Sequence, residues 1–337
     1  MHFSNFHLSL KTWFRIAAVL FVGYSLLILT LMIWWSDEPA QFDVVKTAEQ
    51  KSALLERKIV TGSTVTSTLI QSVRTLLDKP GGYLSNDKFP PGIFLDNIPN
   101  WEFGVLTASR DLAAKMRNQF ARSQSQSQED PDLTEADPLL SSPNDRWLFP
   151  SSENQYRKAI NHLDSYLKRL AEHEQTGTQF YARADNLSDY LSIVTMRMGS
   201  LSQRLSASAG QLRLNTDLAG DPTARQSTTA PDLQAIKTPW TKIDDNFYEA
   251  RGYTWALLQQ LKAIEIDFRQ TLERKNALVS LRQVIRELEE AQKPIASPLI
   301  LNGSPFGMFA NHSLVLANYV SRANAAIIDL RTLLDRG

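Results

Sequence analysis

No cysteine occurs in the 337 residues. Disulfides, thiolate catalysis and cysteine-held zinc or iron–sulfur sites are excluded together, and the absence suits an oxidising compartment. Net charge is missing as well, since 36 Lys and Arg face 36 Asp and Glu. With no overall field to gather nucleic acid or anionic lipid, a dedicated nucleic-acid binder is not expected. Histidine is scarce after residue 35, where only His162, His173 and His312 occur, and no Glu-x-x-His or His-Glu-x-x-His pair is present. The paired ligand motif of di-iron bundles is therefore lacking, and neither metal nor cofactor is expected. There is no Gly-x-Ser-x-Gly elbow, Walker phosphate loop or Gly-x-Gly-x-x-Gly fingerprint, which removes the common hydrolase and nucleotide-enzyme signatures. Ser-x-x-Lys occurs as Ser85 with Lys88 and Ser165 with Lys168, without the companion motifs of penicillin-binding enzymes. Apolar and polar residues never alternate with period two for long enough to argue a sheet.

What is present begins with "IAAVLFVGYSLLILTLMIWW", residues 16–35, a run without a charge. As a helix it spans about 30 Å, the thickness of a bilayer's hydrocarbon core. A cleaved signal has a shorter apolar region and a small-residue cleavage site, whereas this run ends in Trp34 and Trp35 and then Ser36-Asp37-Glu38-Pro39. It reads as a retained anchor with an aromatic belt. Lys11 and Arg15 precede it and acids follow, so the positive-inside rule assigns residues 1–15 to a cytoplasmic tail and 36–337 to the periplasm.

Beyond the anchor, hydrophobic spacing is helical. Val45, Ala48, Leu55 and Ile59 fall on one stripe, which resumes after Thr61-Gly62-Ser63 with Leu69, Val73 and Leu76. Further seams run through Tyr156, Ile160, Leu163, Leu167 and Leu170, and through Leu187, Leu191, Val194, Met198, Leu201 and Leu205. Leu257, Leu261, Ile264, Phe268 and Leu272, then Leu281, Ile285 and Leu288, predict one helix over about 244–292, and Leu316 to Leu334 close the chain. The class is all-α: one transmembrane helix followed by a multi-helix antiparallel bundle. Long polar loops are expected near 121–150 and 215–241, and two three-helix halves divided near 150 remain open.

Three stretches exceed what a generic bundle needs. "KPGGYLSNDKFPPGIFLDNIPNWEFG", residues 79–104, mixes turn-formers with Tyr83, Phe89, Phe94, Trp101 and Phe103. That composition argues an ordered loop closing one end of the bundle, with capping favoured over partner recognition through Trp101 and Glu102. If residues 41–78 form one helix, the loop stands about 57 Å from the anchor, out of reach of lipid. In "KTPWTKIDDNFYEARGYTW", residues 237–255, Trp240, Asp245, Tyr248, Glu249, Arg251 and Trp255 fall on adjacent faces of a helix start. They form a candidate concave surface, although Thr241 or Asp244 capping and plain core packing explain each residue too. In "SPLILNGSPFGMFANHSLVLANY", residues 297–319, Asn311 is a good N-cap and His312 falls in the first turn beyond it, near any anion bound there. The turn residues and shortness of this apolar stretch argue against a second membrane segment. "AEHEQTG", residues 171–177, reads as a solvated helix end.

These segments, with "RSQSQSQEDPDL", "QFYARADNL", "LNTDLAGD" and "LILNGSPFGMFANHSLVLANYVSRANAAIIDLR", resemble across the whole chain an uncharacterised Gram-negative family, domain of unknown function 2333. The resemblance implies an inner-membrane protein with a large periplasmic domain, and no activity, ligand or catalytic residue. Three functions are compatible with the residues: an interaction or scaffold protein of the cell envelope, a small-ligand sensor acting through a partner, or an envelope hydrolase or transferase using Asp245, Glu249 or His312. A protein partner in the envelope is expected for the first, and self-association is left open. Because the chain has no cysteine, Ser125→Cys supplies a unique thiol. In intact cells it is expected to react with a reagent that cannot cross the inner membrane; reaction only after that membrane is opened contradicts the orientation.

Overall fold

The computed structural model describes residues 9–56, 58–122, 129–172, 177–214, 233–297 and 299–336. Residues 173–176 of the acidic run around His173, 123–128 of the first polar stretch and 215–232 of the second lie outside these. The described chain is all-α, with eleven helices. They are α1 (Leu10–Trp35), α2 (Val44–Leu55), α3 (Ser63–Asp78), α4 (Asn97–Lys115), α5 (Pro131–Leu140), α6 (Ser152–Ala171), α7 (Ala184–Ser206), α8 (Ile243–Asp267), α9 (Arg269–Arg274), α10 (Leu278–Ala291) and α11 (His312–Asp335). A two-stranded antiparallel ribbon, β1 (Gln211–Leu214) and β2 (Leu233–Ile236), joins α7 to α8 with Gln211 opposite Ile236.

The seams read from sequence form the core: every named position from Leu69 to Leu76 and from Tyr156 to Leu334 is buried. Amphipathic helices must bury such stripes on one another, and here they do so in alternating directions. Contacts fix the directions. Asp78 meets Arg157 and Asp164 meets Arg74, so α3 and α6 are antiparallel. Ser202 meets Ser321 and Gly199 faces Asn324, which makes α7 and α11 antiparallel; Glu287 meets Arg322 and Lys275 donates to the Arg336 carbonyl, which does the same for α10 and α11. The central pair is parallel: Asn100 bonds Asp245, and Gln260 bonds the Ala108 carbonyl, so α4 and α8 ascend together. Their backbones touch, because a Cβ on Gly104 would lie 2.1 Å from the Glu249 carbonyl oxygen and one on Gly252 would lie 1.9 Å from that of Trp101. Only glycine permits this approach.

Three boundaries differ from the sequence expectation. Residues 41–78 are two helices, not one. Asp43 caps α2 through Val45 and Lys46 N–H groups, α2 ends at Glu56 in left-handed geometry (φ 53°), and the chain reverses before α3. Val44 and Ala48 are the buried apolar positions of α2 among its described side chains, joined by Lys51, while Val45 and Ile59 are exposed. The expected helix over 244–292 is three, turning at Lys275-Asn276-Ala277, where Asn276 takes φ 52°. Within the expected loop 121–150, α5 forms behind Asp130, whose carboxylate accepts from Asp132 and Leu133 N–H groups, with Pro131 at its first position.

The reversal at 56–62 overturns the 57 Å separation. Loop 79–96 returns to the end of α1, where Gly81 (φ 81°) leaves room for the Trp35 ring; a Cβ there would lie 2.6 Å from it. The bundle thus has an α1 end and a far end. At the far end Phe120, Phe180 and Phe268 pack edge to face, with centroids 5.3–5.7 Å apart. There Asp267 substitutes for the side-chain cap that Gly62 cannot supply to α3, accepting from Val65 N–H at 2.8 Å.

Burial raises the Asp267 carboxyl from the ordinary 3.8 to about 6, against the backbone hydrogen bonds that lower it. A carboxyl raised on folding stabilises fully below the unfolded value and loses that contribution as pH rises through the folded one. The loss between pH 4 and 6 is worth about 3 kcal/mol. Asp267→Asn is therefore expected to gain stability relative to the parent as pH rises from 4 to 7, read from thermal unfolding at each pH; a difference independent of pH would contradict it.

Candidate functional site

The junction between α1 and the bundle gathers the most chemistry. Residues 36–43 leave α1 and cross the side of α8. Arg251 is buried near the α1 end of the bundle, and its guanidinium faces this crossing. Nε donates to Glu38 Oε1 at 3.1 Å, a second nitrogen donates to Glu38 Oε2, and Nη1 donates to the Ala291 and Lys293 carbonyls at 2.7 and 3.0 Å. One side chain thus ties the α1 linker, α8 and the C-terminus of α10 together. The planar fork suits this geometry, which a lysine cannot reproduce. Trp255, one turn further along, packs edge to face between Phe42 of the linker (5.7 Å) and Trp101 of α4 (5.2 Å).

A cleft of about 630 Å³ opens beside this junction, walled by Ser36 to Gln41, Tyr248, Arg251, Trp255, Gln292, Pro294, Ile295 and Ser297. Burial raises the Tyr248 hydroxyl pKa, and the Glu38 charge adds to the rise, so Tyr248 is a neutral donor there. The Trp255 Nε1–H is buried without an acceptor among the described residues. Across the strap 291–296 lies a smaller cleft of about 270 Å³, walled in part by Phe247, His312 and Tyr319.

The residues singled out in the sequence separate. Tyr248, Arg251 and Trp255 do converge on one cleft. Asp245 turns away to Asn100 (2.9 Å) and Lys242 (2.8 Å), and Glu249 pairs with Arg204 through two bonds of 2.5 and 2.6 Å. These two carboxylates therefore brace α8 against α4 and α7 and do not share a concave spot with Arg251. Neither Thr241 nor Asp244 caps α8, which starts behind a single 3-10 turn at Trp240–Lys242. Trp240 is exposed. Asn311 caps α11 by accepting from Leu314 N–H at 2.9 Å. His312 Nδ1 accepts from Leu301 N–H at 3.1 Å, which leaves the proton of the neutral ring on Nε2. Among the described residues no three His, Asp or Glu side chains gather as a metal-binding group.

Trp101 and Glu102, candidates for a recognition surface in a stretch whose composition favours capping, are wholly buried. Trp101 enters the core because Gly252 admits its backbone. Glu102 forms a buried ion pair with Lys79 at 2.6 Å and accepts from Leu84 N–H, Ser85 N–H and Ser85 Oγ. Burial raises its pKa, opposed by Lys79 and these hydrogen bonds. The pair clamps the start of loop 79–96 onto α4. Sequence reading missed Glu38 and Lys79. The available signal for Glu38 was an acid directly after the apolar run with no cation beside it, and for Lys79 a lone lysine entering a turn.

Fold and junction together define a class: an all-α, up-and-down bundle carried on one N-terminal helix long and apolar enough to cross a membrane. The chain belongs to the DUF2333 family, described as an uncharacterized protein conserved in bacteria, whose profile matches residues 8–337. No curated protein and no solved structure matches it.

Removing one partner from a buried pair strands the other charge and costs about 3–5 kcal/mol. Arg251→Met is expected to lose about that much in chemical denaturation of the full chain in detergent, and Arg251→Lys to recover less than half. Full recovery by lysine would contradict the three-way tie.

Proposed function

We propose that this protein is a membrane-anchored scaffold or interaction protein of the bacterial cell envelope, with α1 in the inner membrane and the bundle in the periplasm. The observation that carries the reading is the joint. An apolar helix with no buried residue is fastened through Trp35 and the linker residue Glu38 to a bundle whose candidate acids are spent on structural pairs. Such a joint transmits position from a membrane to a rigid body, which is what a scaffold requires. Lys11 and Arg15 before α1, and Asp37 and Glu38 after it, support the orientation through the positive-inside rule.

The cleft of about 630 Å³ favours a second reading, a small-ligand sensor. A neutral tyrosine hydroxyl on its wall suits a polar ligand that accepts hydrogen bonds. A sensor of this build needs a partner to carry its signal.

Crosslinking in native membranes followed by mass spectrometry separates the readings. The scaffold reading expects a stoichiometric envelope protein that stays bound in mild detergent. A solitary protein that gains thermal stability from a periplasmic small-molecule fraction would favour the sensor instead.

A further inference from the structure

Because the helices alternate in direction, the bundle's connections sort by end. At the α1 end lie the described residues of 79–96, 141–151, 207–242 and 292–311; at the far end lie those of 56–62, 121–130, 172–183 and 275–277. Exposed large apolar residues sort with them. Among the described residues of these connections, thirteen sit at the α1 end and one, Ile59, at the far end. The α1-end connections are also the longer ones, but residue for residue they still carry several times as many, and solvated turns have no use for them.

The tips are also held in place. Phe89 packs on Trp147 with centroids 5.8 Å apart, joining the loops before α4 and α6. Asn86 donates to the Arg146 carbonyl at 2.8 Å and to Glu153 at 2.9 Å, pinning the same two loops. In the loop before α11, Gly303 N–H bonds the Ala310 carbonyl at 3.0 Å, and Asn311 donates to the Gly303 carbonyl at 2.8 Å. The hairpin so formed displays Phe306 and Met308 at 102% and 99% exposure, and Phe149 reaches 92%. A loop that is ordered internally and fully exposed at an apolar tip is shaped to enter something.

We propose that this face docks on the lipid surface of the membrane that α1 crosses, with Phe89, Phe94, Trp147, Phe149, Phe306 and Met308 inserted at the headgroup boundary. The inference rests on the anchoring reading above. Continuity with α1 selects lipid as the occupant: Gly81, in the same loop as Phe89 and Phe94, packs on Trp35, the last residue of the apolar helix. A surface that begins at the aromatic end of a spanning helix meets the bilayer interface first. Cations flank the tips as well, with Lys88 beside Phe89, Arg146 beside Trp147 and Lys242 close to Trp240. Such side chains can reach headgroup phosphates while their neighbours enter the acyl boundary. Tips from several connections, two of them joined through Phe89 and Trp147, also suit a deformable lipid surface better than a single groove-filling partner.

The test uses the full chain in phosphatidylethanolamine–phosphatidylglycerol vesicles. Single cysteines, unique in this sequence, carry a nitroxide at Phe94→Cys, Phe149→Cys and Met308→Cys. Leu27→Cys reports the anchor, and exposed apolar Val279→Cys reports the far end, about 20 Å away along α10. Collision with oxygen, which partitions into lipid, is compared with collision by a water-soluble nickel chelate. The three loop labels are expected to give an oxygen-to-nickel ratio several-fold above that at 279. Loop labels as aqueous as 279, with the label at 27 in lipid, would overturn docking and leave the anchor standing. An aqueous label at 27 would overturn both. Loop labels shielded from both reagents and broadened by spin–spin coupling would mean that a second copy covers the face, which also overturns the proposal. All three loop positions are exposed, so the substitutions are expected to leave the helical signal unchanged.

Discussion

The Arg251 guanidinium holds the junction together. It sits inside the bundle, where an unpaired charge is costly, and the carboxylate that satisfies it comes from Glu38 in the linker, just after α1. Its remaining donors close on the last carbonyls of α10. Neither the linker nor the strap 291–296 is free to move without stranding that charge. The cleft between them exists because these segments are fixed on either side of one side chain. The pose of α1 on the bundle follows from the same contact.

Arg251 is placed by the closest approach in the bundle. Gly104 and Gly252 let α4 and α8 meet backbone to backbone, and the large rings of Trp101 and Trp255 pack edge to face beside that contact. Helices normally stand 8–10 Å apart. Bringing these two nearer frees room beside α8 for the linker, so that Phe42 can reach Trp255. The alternation of helices then sends four long connections to the end where α1 leaves. Buried residues of the first of them, Tyr83, Leu84 and the Lys79–Glu102 pair, cap the core, while Phe89 and Phe94 of the same loop face outward. One segment does both jobs, which is why its composition fits neither a linker nor a plain cap.

The seams of α6, α7, α8 and α11 were legible because each holds its period over several turns and packs without interruption. The breaks were less legible. Lys275-Asn276-Ala277 carries no glycine or proline, and the turn there depends on Asn276 accepting left-handed geometry, which asparagine does more readily than most residues. The polar composition of 121–150 hid α5, whose start signal, Asp130-Pro131, also reads as a turn. At the site, Tyr248, Arg251 and Trp255 were legible as a cluster because one helix places them. The partners of Arg251 and Glu102 were not, because Glu38 lies 213 residues from Arg251 in sequence, and Lys79 becomes Glu102's partner only after the loop folds back. The direction of the loops was misjudged for one reason. The hydrophobic stripe resumes after Thr61-Gly62-Ser63 as it would in one helix, yet the chain reverses there.

The central claim is that α1 and the bundle move as one body. It is tested most directly by pulsed electron-spin distance measurement between nitroxides at Leu26→Cys in α1 and Arg274→Cys at the far end, in lipid nanodiscs. The expected result is one narrow distance distribution that broadens when Arg251→Met is added. A broad distribution in the parent chain, unchanged by Arg251→Met, would contradict a fixed joint.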